Sequence, residues 1–231
     1  MNERRIATVD GPAGSGKSTL GRALAVELGL PLIDTGLFYR GIMVAAVRAG
    51  LDASNRSAVA EVARRTAIDV DTDPLSAGDS VLVDGVSSGS LLRDPRYAGL
   101  LATISSIPEV RAAVLQPQRA LASGGAVAVG RDCGTVVFPG SAVKFYLSAP
   151  QAVREQRRLA QLRAQGAAGD DTMMRAEVGD RDRADIDRAD SPLRAAADAH
   201  VIDTAAMDVP AMIAHALQVC HEAGLDPVRA Q

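Results

Sequence analysis

The chain has 231 residues, 25 basic against 28 acidic, and a formal net charge of −3, so no global basic field points to nucleic acid or an anionic membrane surface. Hydrophobic residues make up 47% with only three Tyr and three Phe, which implies a core of Ala, Val, Leu and Ile in one α/β domain with insertions, or in two small domains. Two cysteines, Cys133 and Cys220, make no disulfide framework, no apolar run approaches transmembrane length, and MNERR leads straight into an apolar run; the expectation is a cytoplasmic protein.

That first run, Ile6–Val9, reads as a buried parallel strand. It opens onto GPAGSGKST at 11–19, where Gly11, Gly16, Lys17 and Ser18 satisfy the phosphate-loop pattern GxxxxGK[ST]. Such a loop turns several backbone N–H groups inward, which Gly11, Pro12, Ala13, Gly14, Ser15 and Gly16 permit because they carry little side-chain bulk. Lys17 is expected to reach the β- and γ-phosphates of a nucleotide, and the Ser18 hydroxyl, next to Thr19, to sit on Mg²⁺. From Ser18 onward, Leu20, Ala23, Leu24 and Leu28 recur at helical spacing, so a helix N-terminus faces the phosphates. Strand, loop and helix together imply a nucleoside triphosphate site.

Further parallel strands are predicted at Leu32–Ile33, Ala126–Val129, Val143–Leu147 and Val201–Ile202. Helices are predicted over Gly36–Ala49, Pro108–Ala122, Gln151–Gln165 and Val209–Ala223. The alternation implies a doubly wound parallel sheet with ligands at the carboxyl ends of its strands, where Asp10, Asp34, Arg131, Asp132 and Asp203 fall. Asp10 is a candidate neighbour of the loop or its metal, and Asp34 competes with Thr35 and Gly36 to cap the next helix.

Two stretches break the rhythm. Residues 66–94 alternate Ile68/Val70 and Val81/Val83 around turn signals at Asp73-Pro74 and Gly78, and read as a small antiparallel insertion. Residues 151–194 hold nine arginines and nine acids, with AQGAAGDD at 164–171 as a mobile tip. This second stretch reads either as a solvated helical face or as a lid closing over phosphates. Within it Arg181, Asp185 and Arg188 fall at i, i+4 and i+7, one stripe of one helix. Lysine occurs only at 17 and 144, so the positions of the arginines carry the electrostatic information.

Four stretches complete the pattern: IDTGLFYR (33–40), PEVR (108–111), GRDCGTVVFP (130–139) and RDRADIDRADSPL (181–193). With the phosphate loop, this set and its order resemble the bacterial cytidylate kinases, P-loop nucleoside monophosphate kinases, over nearly the whole chain. The resemblance implies a P-loop NTPase-type five-stranded parallel sheet sandwiched by helices, with a core of residues 1–35, 108–150 and 190–231. It further implies a monophosphate-binding domain at 36–107, extended by the insertion near 66–94, and a helical lid at 151–189. The implied reaction is transfer of the γ-phosphate from ATP to CMP, and to dCMP, by a monomer with Mg²⁺ as cofactor.

By the same resemblance ATP lies on Gly11–Thr19. Thr35, Tyr39, Arg40, Arg131 and Arg188 surround the acceptor phosphate, Arg181 and Asp185 address its sugar, and Arg111 and Asp132 its base. Guanidinium forks match phosphate oxygens, and an aspartate beside an arginine matches the amine and acceptors of cytosine. The acceptor oxygen is already ionised, so the catalytic groups are cations: Lys17, Arg131, Arg157 and Arg188, with Arg154, Arg157 and Arg158 opening the lid helix. The three histidines, at 200, 215 and 221, fall late in the chain and read as structural.

The chain departs from the family pattern at Ala102, where a serine commonly contacts the base, with Thr103 beside it, and at Cys133, where an apolar residue is common. Cys133 reads as a small buried side chain rather than a redox sensor. Rival readings are a kinase of UMP, AMP or shikimate on the same scaffold, and a regulator that binds ATP only to change shape.

Overall fold

The computed structural model describes residues 3–52, 54–76, 80–164, 179, 182–188 and 190–227. Five strands, β1 (Ile6–Asp10), β2 (Leu32–Asp34), β6 (Ala126–Gly130), β7 (Val143–Ser148) and β8 (His200–Asp203), form one parallel sheet in the order β2-β6-β1-β7-β8. Every residue of β1 and β6 is buried, as central parallel strands covered on both faces require. Four of the five strands end in a polar residue, Asp10, Asp34, Ser148 or Asp203, at the carboxyl edge, and β6 ends in Gly130.

One face of the sheet packs under α1 (Lys17–Leu28) and α7 (Val209–Glu222), with Leu20, Leu24 and Leu28 against Val127, Val129, Phe145, Met212 and Ala216. Within α1 the inward positions are taken by Ala25 rather than the predicted Ala23, which is only half-buried. The other face holds Ile6, Ile33, Ala128 and Phe138 beneath Ala122 and Leu115. Thus a five-stranded parallel sheet between helices, as predicted, is the frame of the molecule.

A second apolar cluster lies beyond β2. It joins α2 (Gly36–Arg48), α3 (Arg56–Arg65), α4 (Ala98–Ser106) and α5 (Pro108–Ala120) through Phe38, Ile42, Val59, Ile104 and Val110. The sequence reading groups 108–150 with the sheet, yet α5 serves both layers: Val114 enters this cluster while Leu115 packs against the sheet. Neither α3 nor α4 was predicted, since their small-residue runs lack a long apolar repeat.

The insertion is antiparallel as expected, with β3 (Ile68–Val70), β4 (Val81–Val83) and the unpredicted β5 (Val86–Ser87). Asp84 and Gly85 turn β4 into β5 with φ of 52° and 75°, the two positive values a tight hairpin needs. The Asp73-Pro74 turn is present, with Ser76 N–H donating to Asp73 C=O, whereas Gly78 lies outside the described residues. The loop after β3 returns to the sheet, where Thr72 C=O accepts from Leu32 N–H at 2.8 Å.

In the charged stretch, α6 spans Gln151–Ala164, and the remainder of AQGAAGDD lies outside the described residues. The predicted stripe over Arg181, Asp185 and Arg188 needs correction. The helical stretch covers 182–186, so Arg188 follows it in a turn, and Arg181 lies outside the described residues. Among the described residues no single helix is long and apolar enough to cross a membrane.

Close approach of α1 to β6 depends on Gly21, where a Cβ would stand 2.3 Å from Val129 Cγ2. Helix propensity alone would favour alanine by about 1 kcal/mol, but forcing the methyl into a packed core costs about 1–3 kcal/mol. We therefore expect Gly21→Ala to lose up to about 2 kcal/mol of stability, read as a lower urea midpoint at unchanged slope.

Candidate active site

The phosphate loop connects β1 to α1 at the carboxyl edge of the sheet. Gly11 and Gly14 hold φ of 148° and 73°, and a Cβ would meet Leu147 C=O at 2.3 Å from the first and Arg154 C=O at 2.5 Å from the second. Only glycine satisfies both the backbone and the space. Lys17 begins α1, and its Nζ donates to Pro12 C=O at 2.7 Å, folding the ammonium back across its own loop. The loop amides, the helix N-terminus and this ammonium make one anion-binding cradle.

Two cavities meet at the cradle. The first, about 470 Å³, is lined by eight cationic side chains (Lys17, Arg22, Arg40, Arg93, Arg111, Arg131, Arg158 and Arg188) against three carboxylates, Asp34, Asp132 and Asp185. The second, about 430 Å³, lies between the loop, α6 and the start of α7, and includes Arg157, Thr204, Met207 and Met212. Gly14, Lys17, Ser18 and Arg158 line both.

At the far end of the first cavity, Arg111 of α5 forms a buried ion pair with Asp132 and donates to Ser105 C=O at 3.1 Å. The Tyr39 ring lies 5.3 Å from the Arg111 guanidinium carbon, a cation–π arrangement. Burial opposes the Arg111 charge, but the neighbouring Tyr39 and Asp132 more than offset it and raise its pKa. Burial raises the Asp132 pKa above the ordinary carboxylate value, against the pull of Arg111 and Arg188, and Arg111 stays protonated beside it. Burial also pushes the Tyr39 phenol up, so it stays neutral.

Nearer the loop, Asp185 accepts from Arg131 Nε at 3.0 Å and stands 3.3 Å from Arg188 Nη1. Burial and the adjacent Arg111 lower the Arg188 pKa, the signature of cations crowded together. Among the described residues, the buried Nε atoms of Arg111 and Arg188 have no hydrogen-bond acceptor. Arg111 Nε still faces the Asp190 carboxylate at 3.9 Å, which leaves Arg188 Nε, among the described residues, as the donor without a counterpart in the cationic cluster.

The segment carrying Arg131 and Asp132 is held by Asp10. Its carboxylate accepts from Cys133 N–H at 2.8 Å and Gly134 N–H at 2.7 Å, so the end of β1 fixes the π-helical turn Cys133–Val137 that follows. Burial raises the Asp10 pKa to about 6 against those two hydrogen bonds. Asp34 settles the capping question: it accepts from Gly36 N–H at 2.9 Å, while the Thr35 hydroxyl donates to Val129 C=O at 3.0 Å.

The family model described as cytidylate kinase matches residues 7–222. The chain belongs to the cytidylate kinase family. Its relatives include the cytidylate kinases of Pelotomaculum thermopropionicum, 38% identical over 92% of this chain and 94% of that one, and Mycobacterium avium, 41% identical over 93% and 94%. That of Mannheimia succiniciproducens is 37% identical over 96% of this chain and 98% of its own.

Within this cytidylate kinase fold, the first cavity brings together Thr35, Tyr39, Arg40, Arg111, Arg131, Asp132, Asp185 and Arg188 with Ala13, Gly14, Lys17 and Ser18. Gly16 and Thr19 line the second cavity, while Gly11, Pro12 and Ser15 shape the loop from behind. Arg157 is not with the acceptor-side cations: it donates to the Thr204 hydroxyl at 2.8 Å and carbonyl at 2.7 Å on the second cavity. Arg154 donates to Ala13 C=O at 3.1 Å and lines neither cavity.

Sequence reasoning missed Arg22 and Arg93. Arg22 follows Ser18 by four residues, the same face of α1, a spacing that could have marked it. Arg93 depends on the course of the insertion and left no local signal. At the two departures, Leu101 and Ser105 of α4 face the cavity rather than Ala102, and Cys133 is fully buried with its thiol pKa raised by burial.

Asp10 gives the site a pH signature. Its folded pKa exceeds the unfolded value, so its contribution is present below about pH 4 and lost as pH rises through about 6. Between pH 4 and 7 the stability of the wild type should fall relative to Asp10→Asn by about 2–3 kcal/mol, measured by urea unfolding at each pH.

Proposed function

We propose that the chain transfers the γ-phosphate of ATP to CMP, and to dCMP, releasing ADP with CDP or dCDP. The observation that carries this reading is the meeting of two cavities at Lys17, Ser18 and Arg158, one of them ending in the buried Arg111–Asp132 pair. Two nucleotides lying end to end need this layout: a shared cationic junction with a base-reading group at one far end.

The base-reading end favours cytosine. Asp132 accepts from the exocyclic amine while Arg111 donates to the ring acceptors. Uracil offers a carbonyl where cytosine has the amine, which leaves a buried carboxylate facing an acceptor. Arg131 and Arg188, steadied by Asp185, hold the acceptor phosphate, and the spare Nε donor of Arg188 supports that role.

No general base enters the scheme, because the attacking phosphate oxygen is ionised at neutral pH. The chain's work is to align two anions and to shield the charge that spreads over the transferring group. Lys17 and Arg158 stand at the junction for that purpose. Arg157 takes part from the donor side through its anchor on Thr204. The lid closing through α6 excludes water from the junction.

Mg²⁺ fits the residues present. Ser18 is exposed at the junction of both cavities, and among the described residues no group of three or more His, Cys, Asp or Glu could hold an ion. Mg²⁺ held mainly by phosphates and water needs one hydroxyl and no protein cage. When bound, the ion supplies charge neutralisation between the phosphates.

An ADP-release assay across CMP, dCMP, UMP, AMP and shikimate tests the reading. We expect kcat/KM for CMP to exceed that for UMP by about 100-fold or more, and Asp132→Asn to narrow the ratio to about 10-fold. Preference of the wild type for UMP would sink the base-recognition argument; ATP binding without transfer to any acceptor would favour a regulator. Arg158→Ala should lower kcat by about 100-fold with KM values little changed. Unchanged kcat in Arg157→Ala would remove that residue from the catalytic set.

A further inference from the structure

Ala13, in the phosphate loop, is gripped through both of its flanking peptides by residues that line neither cavity. Its N–H donates to Asp182 Oδ1 at 3.0 Å, and its C=O accepts from Arg154 Nη1 at 3.1 Å. Arg154 and Asp182 form a buried ion pair with each other, and Arg154 Nε is fixed in turn by Ala149 C=O at 3.0 Å. Gly14 lies so close to Arg154 C=O that a Cβ would stand 2.5 Å from it. The loop is thus bound to the first turn of α6 and to the helical stretch 182–186 at a single residue, through the two peptides that flank the Ala13 Cα.

That same helical stretch carries acceptor-site groups. Asp185 is three residues from Asp182, a neighbour on one helical face, and it holds Arg131 and Arg188 in the first cavity. An anion entering that cavity competes with Asp185 for both guanidiniums. Any adjustment at Asp185 is carried along one turn of helix to Asp182, and so to the Ala13 peptide. A triphosphate seated on the loop meets the next residue, Gly14, which lines both cavities.

On the functional reading above, we propose that Asp182 is a positioning residue that couples the two nucleotide sites through Ala13, with Arg154 completing the grip. It touches neither substrate; it makes occupancy of one site set the geometry of the other. Coupling of this kind is reciprocal, so CMP tightens the triphosphate and the triphosphate tightens CMP by one common factor.

The test measures binding of the β,γ-imido analogue of ATP by calorimetry, with and without saturating CMP. In the wild type CMP should tighten the analogue by about 5-fold or more, and the reverse titration should give the same factor. In Asp182→Ala the factor should fall below about 2, while the affinity for CMP alone stays within about 3-fold of wild type. An unchanged factor in Asp182→Ala overturns the proposal, as does a factor of one in a wild type that still phosphorylates CMP.

A wild type that transfers no phosphate to CMP overturns the functional reading, and this proposal with it. Should Asp182→Ala fail to fold, the near-isosteric Asp182→Asn decides on the same factor. Its amide can serve Ala13 N–H only by presenting an NH₂ donor to the donors of Arg154, so one of the two contacts is lost. Retention of the full factor there also overturns the proposal.

Discussion

The organising constraint is repulsion among the site's own cations. Eight Lys and Arg side chains line one cavity, and two unit charges 4 Å apart repel by about 4 kcal/mol at an effective dielectric of roughly 20. The fold holds them together with carboxylates that serve as counterions: Asp132 for Arg111, and Asp185 for Arg131 and Arg188. Each acid also orients its guanidinium. Removing one such acid therefore does more than delete a contact, since a buried charge is left unpaired.

The parallel sheet supplies the rigidity. Asp10, Asp34 and the segment after β6 all leave the same edge; Asp10 is tied across the strand order, and Asp34 holds the first amide of α2. Thr35 donates to the carbonyl of Val129, and Asp10 on β1 holds the amides that follow β6, so three adjacent strands are cross-linked by polar side chains at the carboxyl edge beside the first cavity. Thr35, expected near the acceptor phosphate, and Asp10, expected near the loop or its metal, both bond to backbone, and Thr35 also lines the first cavity.

Much of this was legible before folding. The phosphate loop announces itself because its glycines and Lys17 obey a fixed spacing, and the central strands because they are short, apolar and closed by acids. The Arg111–Asp132 pair was legible only as two separate motifs, since the residues lie 21 positions apart and no local rule joins them. Helices α3 and α4 were missed because tertiary packing, not an apolar repeat, stabilises them. The arginine stripe was legible in part: the helix ends at Ile186, two residues before Arg188, yet Arg188 still pairs with Asp185 at the i,i+3 spacing. Asp182, sharing a motif with better-known positions, had no signal at all until its partner on the phosphate loop was seen.

The loop after β3 leaves the small sheet, passes β2 and gives Thr72 C=O to Leu32 N–H, while Arg22 of α1 donates to Pro74 and Ser76 carbonyls. This appendage therefore guards the open flank of the main sheet. A version of the chain trimmed at these residues would expose an amide at the brink of β2 to any passing strand, inviting self-association. Shortening there is constrained by solubility as well as by catalysis.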